Sequence, residues 1–209
     1  MIKERIAEAD KILNEVKART VFITGSFLFK KEYKDIDVFI ITRSKKEFKS
    51  KNPKVKITKI DFNKLHSLFY HSISKSCIAK NILPKKQLRV TAADFWNITN
   101  EAVPMIFNEK KNFRKDIRYL ILYIEYFLKG EILDSYTLSQ KVESFKEYKD
   151  VLNYLKSNLP SAILNKVNKG YVKRFFYTQS GFYKDSLNYE SHKYLYDLSH
   201  SVIKEAVNG

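Results

Sequence analysis

Apolar residues follow two different periods along the chain, and the period changes near residue 90. Before that point, apolar and polar residues alternate in short runs, which predicts β-strands, whereas from Thr91 onward apolar residues recur every three or four positions, which predicts helices. The change predicts a protein of the α+β class. Residues 1–90 are expected to form a mixed β-sheet with flanking helices, and residues 91–209 a helical bundle.

The first domain is predicted to begin with an amphipathic helix and to contain at least three strands. A Gly-Ser pair and an Asn-Pro pair punctuate the apolar runs and indicate turns between them. The first helix is expected at 2–18, and the strands at 21–23, 36–42 and 54–62. Short helices are expected at 26–31 and 63–74, and a charged helix or loop at 43–51. A further strand is expected within 78–90.

The second domain is predicted to contain helices alone. Thr91 can cap the first of them, and Pro104 is expected to kink or end it. The clearest helix covers 111–128 and stops at Gly130. Further helices are expected at 135–145, 147–158, 160–176 and 188–207, with Pro160 marking a break between the second and third of these.

Two carboxylates lie two positions apart in the strand at 36–42 or just before it. Side chains two apart in a strand point to one face, so Asp35 and Asp37 project together. Two adjacent carboxylates repel each other unless a cation lies between them, and oxygen ligands of this kind suit Mg²⁺ or Mn²⁺. The preceding strand ends in Gly25 and Ser26, where backbone N–H groups and a hydroxyl can hold an anion. The alternative interpretation is an ordinary turn followed by an edge strand with exposed acids.

An apolar-Gly-Ser run, an eight-residue spacer and Asp-apolar-Asp-apolar follow one another between Val21 and Val38. This order resembles the signature of the DNA polymerase β-type nucleotidyltransferase superfamily, in particular its small stand-alone bacterial and archaeal members. The resemblance implies a nucleotidyltransferase-like fold to about residue 90 and a Mg²⁺-dependent enzyme. Such an enzyme moves a nucleoside monophosphate from an NTP to a hydroxyl acceptor on RNA such as tRNA, on a protein or on a small molecule.

The resemblance also implies roles for individual residues. Asp35 and Asp37 would be catalytic residues and ligands of Mg²⁺, and Gly25 and Ser26 would hold the phosphates of the nucleotide. Many members carry Gly and Arg in the spacer, whereas this chain has three lysines there, which are the expected nucleotide-binding cations: Lys30, Lys31 and Lys34.

Asp61 is the candidate for the third carboxylate that completes the metal site in the resembled superfamily. It is the only acid between Glu47 and Asp94, and it follows an apolar residue at the end of the third predicted strand. In this role Asp61 would be a catalytic residue and a metal ligand. The alternative is that Asp61 caps the helix that starts at Asn63, a position that Asp often takes.

Two other classes of function stay open from the sequence. Some members of the resembled superfamily act as toxins or antitoxins, so the chain could be an inactive nucleotidyltransferase-fold binding protein or one component of a toxin–antitoxin pair with a partner protein. A nucleic-acid-binding module with structural acids is the third class.

The net charge of +16 is concentrated in the first half of the chain. Residues 1–100 carry 22 Lys+Arg against 10 Asp+Glu, a net +12, and residues 101–209 carry a net +4. A basic surface around an acidic metal site favours a triphosphate or an RNA partner. The lysine usage of an AT-rich genome explains the same bias. Aromatic and basic residues also mix at 171–177, which predicts either a stacking surface for single-stranded nucleic acid or amphipathic packing.

The remaining composition predicts a cytoplasmic protein without a membrane partner. The single cysteine, Cys77, excludes an internal disulfide, fits a reducing compartment and is expected to be a small core residue. The N-terminus lacks the apolar region of a signal peptide. The most apolar run, 120–128, contains Glu125 and is too short to cross a bilayer. His66 and His71 belong to no spaced His/Cys cluster and are not expected to be ligands.

Overall fold

A computed structural model of the chain describes residues 2–108, 112–166 and 189–208. The protein is of the α+β class, with helices and a four-stranded mixed sheet. It divides into two units, of which the first comprises Met1–Arg89 and Leu133–Ser139, and the second comprises Val90–Ile132 and Gln140–Gly209. The apolar period places a division near residue 90, but it does not predict that Leu133–Ser139 returns to the first unit.

The sheet belongs to the first unit and has four strands, β1 (Val21–Thr24), β2 (Ile36–Ile41), β3 (Val55–Ile60) and β4 (Cys77–Ala79). Their order across the sheet is β3-β2-β1-β4. Strand β1 is antiparallel to both β2 and β4, whereas β2 and β3 are parallel. The three predicted strands are present because each is rich in β-branched or aromatic residues, which favour extended structure. The fourth strand begins one residue before the predicted segment.

An apolar cluster covers each face of the sheet. Successive residues of β2 point to opposite faces, so Val38 contributes to one cluster and Phe39 to the other. The first cluster includes Leu13 of helix α1 (Glu4–Glu15). The second includes Tyr70 of helix α3 (Leu68–Ile73). Each large side chain buried in this way contributes about 1.5–3 kcal/mol to stability.

The predicted helix over 63–74 is replaced by two shorter elements. A 3-10 turn covers Phe62–Lys64 and α3 follows it. The reason is a second cap: the Ser67 hydroxyl accepts a hydrogen bond from the backbone N–H of Tyr70 at 3.2 Å and starts a new helix. The single turn α2 (Ser26–Phe29) follows β1 directly.

The helices that follow residue 90 include the two clearest predictions, and one of these helices begins within Leu133–Ser139 of the first unit. The backbone N–H of Asp94 donates to the Thr91 hydroxyl at 3.1 Å, so Thr91 caps the first helix as predicted. Gly130 ends the second with a φ of 73°, also as predicted. The helices are α4 (Ala92–Asn108), α5 (Phe113–Lys129), α6 (Ser135–Ser144), α7 (Tyr148–Lys166) and α8 (Tyr189–Asn208).

Two prolines lie inside helices, contrary to prediction. Helix α4 continues past Pro104 to Asn108, and α7 continues past Pro160, so the break between the helices at 147–158 and 160–176 is wrong. Apolar residues on both sides of each proline are buried, for example Val103 and Ile106 around Pro104, and this packing outweighs the lost backbone hydrogen bond. The end of the 160–176 prediction and the aromatic-basic run at 171–177 lie outside the described residues.

Helix α5 has the most pronounced apolar face, with Leu120, Ile121 and Ile124 buried. It also buries two acids, Asp116 and Glu125. In the part of the chain that the structure describes, no helix combines the length and the apolar character needed to cross a membrane.

Candidate functional site

A row of four side chains crosses one face of the sheet from β3 to β4. Asp37 on β2 pairs with Lys56 on β3 and with Thr24 on β1. Thr24 in turn pairs with Cys77 on β4. Directly opposite residues on neighbouring strands share a face and have Cβ atoms about 4.5–5.5 Å apart. The register therefore aligns an ammonium, a carboxylate, a hydroxyl and a thiol.

The turn after β1 lies against Asp37. Gly25 has φ 87° and ψ −162°, a conformation that residues with a side chain rarely adopt. A Cβ atom at Gly25 would lie 3.0 Å from Oδ2 of Asp37. The backbone therefore favours glycine, and a side chain there would also force the Asp37 carboxylate to shift by a few tenths of an ångström. The fold brings Gly25 and Asp37, which belong to the two halves of the motif, into contact.

Asp35 forms an ion pair with Lys56. The Nζ atom of Lys56 donates to Oδ2 of Asp35, and the side chains are 64% and 25% exposed, respectively. The hydrogen bond to Asp35 and the negative charge of Asp35 raise the pKa of Lys56, to which Asp37 also contributes. Lys56 therefore stays an ammonium at neutral pH and offsets the repulsion between the two aspartates.

The predicted convergence of three carboxylates is wrong for Asp61. Because β2 and β3 are parallel and Asp37 is opposite Lys56, the end of β3 lies far from the start of β2. Asp61 follows Lys56 by five residues, which corresponds to about 16 Å along the strand. Its carboxylate caps the 3-10 turn by accepting from Asn63 N at 2.9 Å, the alternative role that the sequence left open.

Two acids are consequently the candidates for holding a metal ion: Asp37 in this row and Asp35 directly before β2. Among the described residues, no group of three or more His, Cys, Asp or Glu side chains is arranged to hold a metal ion. Asp35 and Asp37 can offer carboxylate oxygens from one end of β2, and the ammonium of Lys56 already takes a cation's place at Asp35. The donor set fits a single divalent cation that competes with Lys56.

Helix α1 holds the spacer between the two halves of the motif. An Nη2 atom of Arg5 donates to Lys31 O at 3.2 Å, and the Arg5 guanidinium lies 4.4 Å from the centroid of the Tyr33 ring. Lys54 Nζ lies 4.8 Å from the same centroid. The side chains of Lys30, Lys31 and Lys34 are exposed. No sequence pattern indicates Arg5 and Tyr33, because a cation over an aromatic ring leaves no spacing signal.

The returning segment Leu133–Ser139 is attached beside the row. The buried Thr24 hydroxyl donates to Ser76 O at 2.9 Å and is hydrogen-bonded to the Ser135 hydroxyl at 3.0 Å. The Ser72 hydroxyl donates to Leu133 O at 2.6 Å. These contacts place Ser135 next to the strand end that leads into Gly25, which no local sequence pattern indicated.

Cys77 closes the row but is poorly suited to act as a nucleophile. Burial raises the pKa of the Cys77 thiol to about 11, and only a thiolate attacks efficiently. The thiol donates to Ser74 O at 3.5 Å and packs with the second apolar cluster. This environment agrees with the expected role as a small packing residue.

A separate ionic cluster is buried in the second unit. Glu125 of α5 is 3% exposed and accepts hydrogen bonds from Lys141 and, at 2.9 and 3.0 Å, from Lys129 and Tyr154. Burial alone would raise the pKa of Glu125, but the hydrogen bonds and charges of Lys141 and Lys129 outweigh it and lower the pKa. The cluster joins three helices and has the composition of a structural ion-pair network.

Comparison of the chain with family models, with curated proteins and with solved structures gives no match. The resemblance to the nucleotidyltransferase superfamily therefore rests on the sequence motif over 21–38.

Proposed function

We propose that the first unit is a Mg²⁺-dependent nucleotidyltransferase that moves a nucleoside monophosphate from an NTP to a hydroxyl on RNA, on a protein or on a small molecule. The observation that carries the proposal is the contact between Gly25 and Asp37. A phosphate-holding turn and a metal-holding carboxylate must be neighbours if both are to act on one triphosphate. The turn and strand order of the resembled signature supports the same assignment.

In this proposal, Asp35 and Asp37 would hold Mg²⁺. When bound, Mg²⁺ neutralises phosphate charge and stabilises the leaving pyrophosphate. Gly25 would let the backbone of the turn approach the phosphates, and its lack of a side chain leaves the Asp37 carboxylate in place beside the turn. The exposed lysines of the spacer supply positive charge for the triphosphate. Among the residues that the structure describes, no third carboxylate joins the pair, so the proposal assigns no general base.

The test replaces Asp35 and Asp37 together by Asn. This variant keeps the size of both side chains and removes the charges that hold the metal. Mg²⁺-NTP should raise the thermal midpoint of the wild type by mass action, equivalent to about 2.7 kcal/mol when the ligand is at a hundred times its Kd. The midpoint of the double variant should not move. Equal shifts in both proteins would overturn the proposal.

Asp61→Asn is the informative comparison. It removes the same kind of charge from a residue that the register places at the other end of β3. We expect the Mg²⁺-NTP shift to survive in this variant. If the shift disappears, Asp61 belongs to the site and the register argument is wrong.

A second candidate function is a nucleotide-binding protein that does not catalyse transfer, such as one component of a toxin–antitoxin pair. The observation in its favour is the ion pair between Asp35 and Lys56, which places an ammonium where a metal ion would be needed. Incubation with each α-labelled NTP, Mg²⁺ and total RNA or lysate separates the candidates. Label on an acceptor supports the transferase, and a thermal shift without labelled product supports the binding protein.

A further inference from the structure

A basic cleft lies on the first unit, apart from the Gly25–Asp37 contact. It has a volume of about 280 Å³ and is lined by His66, Lys86, Gln87 and Arg89. His66 comes after the end of β3, whereas Asp37 lies near the start of the parallel strand β2. The cleft is therefore a second feature of the unit, separate from the row that contains Asp37.

The backbone that carries the cations is held in place although it has no regular structure. The Tyr70 hydroxyl donates to Pro84 O at 2.6 Å. His71 Nε2 lies 2.9 Å from Lys86 O, and because a carbonyl only accepts, this nitrogen carries the proton. The backbone N–H of Arg89 donates to His66 O at 2.9 Å. Three hydrogen bonds thus fix the segment against α3 and the turn before it.

The cleft is positively charged, and within the described part of the chain no acidic side chain pairs with its cations. The sequence contains no Asp or Glu between Asp61 and Asp94. Among the described residues, no carboxylate forms an ion pair with Lys86 or Arg89, and both side chains are exposed. Two unneutralised cations on a fixed backbone form a site for an anion.

The side chains that line the cleft indicate which kind of anion it suits. Arg binds phosphate oxygens bidentately and Lys binds them as a point charge. Gln87 adds an amide donor and acceptor. The four lining residues offer no aliphatic side chain, and the imidazole of His66 is the one ring among them on which a nucleobase could stack. The site therefore suits chiefly the phosphates of a ligand.

We propose that this cleft binds the phosphodiester backbone of a single-stranded nucleic acid. The net +12 of residues 1–100 favours a polymer of phosphates over a single one, because many weak contacts add along a strand. The proposal goes beyond nucleotidyl transfer and does not depend on it, since the cleft requires neither Mg²⁺ nor an NTP.

The experiment measures binding of a labelled single-stranded RNA of about twelve nucleotides, long enough for one electrostatic site, without Mg²⁺ or NTP. The slope of log K against log salt reports the number of phosphate contacts, about 0.7 per contact for single strands. Replacing Lys86 and Arg89 by Ala should reduce the slope by about 1.4 and weaken binding. If this variant fails to fold, K86Q/R89Q takes its place, because glutamine keeps a polar side chain and most of the aliphatic stem while it removes the charge.

The matched control is K80A/K85A, which removes the same charge from exposed lysines of the same segment that do not line the cleft. We expect the control to retain the wild-type slope. A reduction as large as in K86A/R89A would mean that general charge, and not the cleft, binds the RNA, and an unchanged slope in K86A/R89A would reject the cleft directly.

Inorganic tripolyphosphate distinguishes the source of the phosphate. It should displace the RNA less effectively, per phosphate, than unlabelled RNA does. If tripolyphosphate displaces the labelled RNA as effectively per phosphate as unlabelled RNA does, and K86A/R89A abolishes this effect, the cleft binds free polyphosphates. This result would overturn the nucleic-acid proposal. D35N/D37N should bind RNA as the wild type does, and K86A/R89A should keep the Mg²⁺-NTP shift, so the failure of one proposal is distinct from the failure of the other.

Discussion

Gly25 and Asp37 lie so close together that an added methyl group at Gly25 would stand 3.0 Å from a carboxylate oxygen. Gly25→Ala must therefore move Asp37, and it must also hold alanine at a φ of 87°. We expect the free energy of unfolding to fall by about 1–3 kcal/mol and the Mg²⁺-NTP shift to disappear. Urea unfolding and thermal midpoints with and without Mg²⁺-NTP measure the two effects.

Gly130→Ala is the matched control. Gly130 has a comparable φ of 73°, but a Cβ atom there would meet nothing within 4 Å. Its variant should lose about 1–2 kcal/mol for the left-handed backbone and keep the full Mg²⁺-NTP shift. A lost shift in both variants would show that general destabilisation, and not the position of Asp37, controls nucleotide binding.

Lys56→Gln should strengthen the response to divalent cations. In the wild type the ammonium of Lys56 is hydrogen-bonded to Asp35 and competes with a metal ion for that carboxylate. We expect the thermal shift caused by Mg²⁺ alone to be half-maximal at a several-fold lower Mg²⁺ concentration in the variant. Lys49→Gln, which removes an exposed lysine paired with Glu47, should respond like the wild type. A weaker Mg²⁺ response in Lys56→Gln would indicate that Lys56 helps to bind the ligand.

Glu125→Gln should destabilise the second unit. The substitution leaves Lys141, whose side chain is 29% exposed, without its carboxylate partner. Breaking a buried pair in this way costs about 3 kcal/mol. Lys129→Gln removes the partner that is 55% exposed and should cost less than about 1 kcal/mol. Urea unfolding of both variants at neutral pH makes the comparison, and similar losses would contradict a dominant role for the Lys141 contact.

The contribution of Glu125 should depend on pH in the acidic range. Its pKa in the folded protein is below the ordinary value of 4.5, so the unfolded chain takes up the proton first as pH falls. The stability that the charge provides is therefore complete above about pH 5, declines from there and is lost once pH drops through the folded pKa. The difference in unfolding free energy between wild type and Glu125→Gln should shrink over this range. A constant difference would contradict the assignment.

The positions of the first two strands were predictable because the residues within and directly between them determine them. Val21–Ile23 and Ile36–Val38 alternate or run apolar, and the glycine between them marks the position that needs a positive φ. The short spacer then leaves few ways to pair the strands other than the antiparallel register that sets Thr24 opposite Asp37.

Asp61 was not predictable in the same way. Asp61 and Asp37 both stand between apolar residues, so the local sequence pattern does not distinguish their positions in the sheet. The difference lies in the direction of β3, which is parallel to β2 and carries Asp61 away from the pair. Whether β3 is parallel or antiparallel to β2 depends on the segment that connects the two strands. The residues next to Asp61 do not indicate which of the two occurs.

The helix breaks predicted at the prolines were wrong, and the contact of Ser135 was not predicted, for a related reason. Pro104 and Pro160 favour helix ends when only their neighbours are considered, but buried residues such as Val103 and Leu159 hold the helices together across them. Helix α6 was predicted almost to the residue, yet its period contains no sign that Ser135 pairs with Thr24. Periodicity identifies an element, and long-range packing decides which unit the element joins.

The return of Leu133–Ser139 to the first unit has a consequence for the order in which the protein is made. A ribosome that has released the sheet of the first unit must still translate all of Val90–Ile132 before Ser135 can reach Thr24. At about 5–20 residues per second, this delay lasts a few seconds. During translation, the nascent sheet therefore stays without Ser135 and Leu133, the partners of Thr24 and Ser72, until two further helices have left the ribosome.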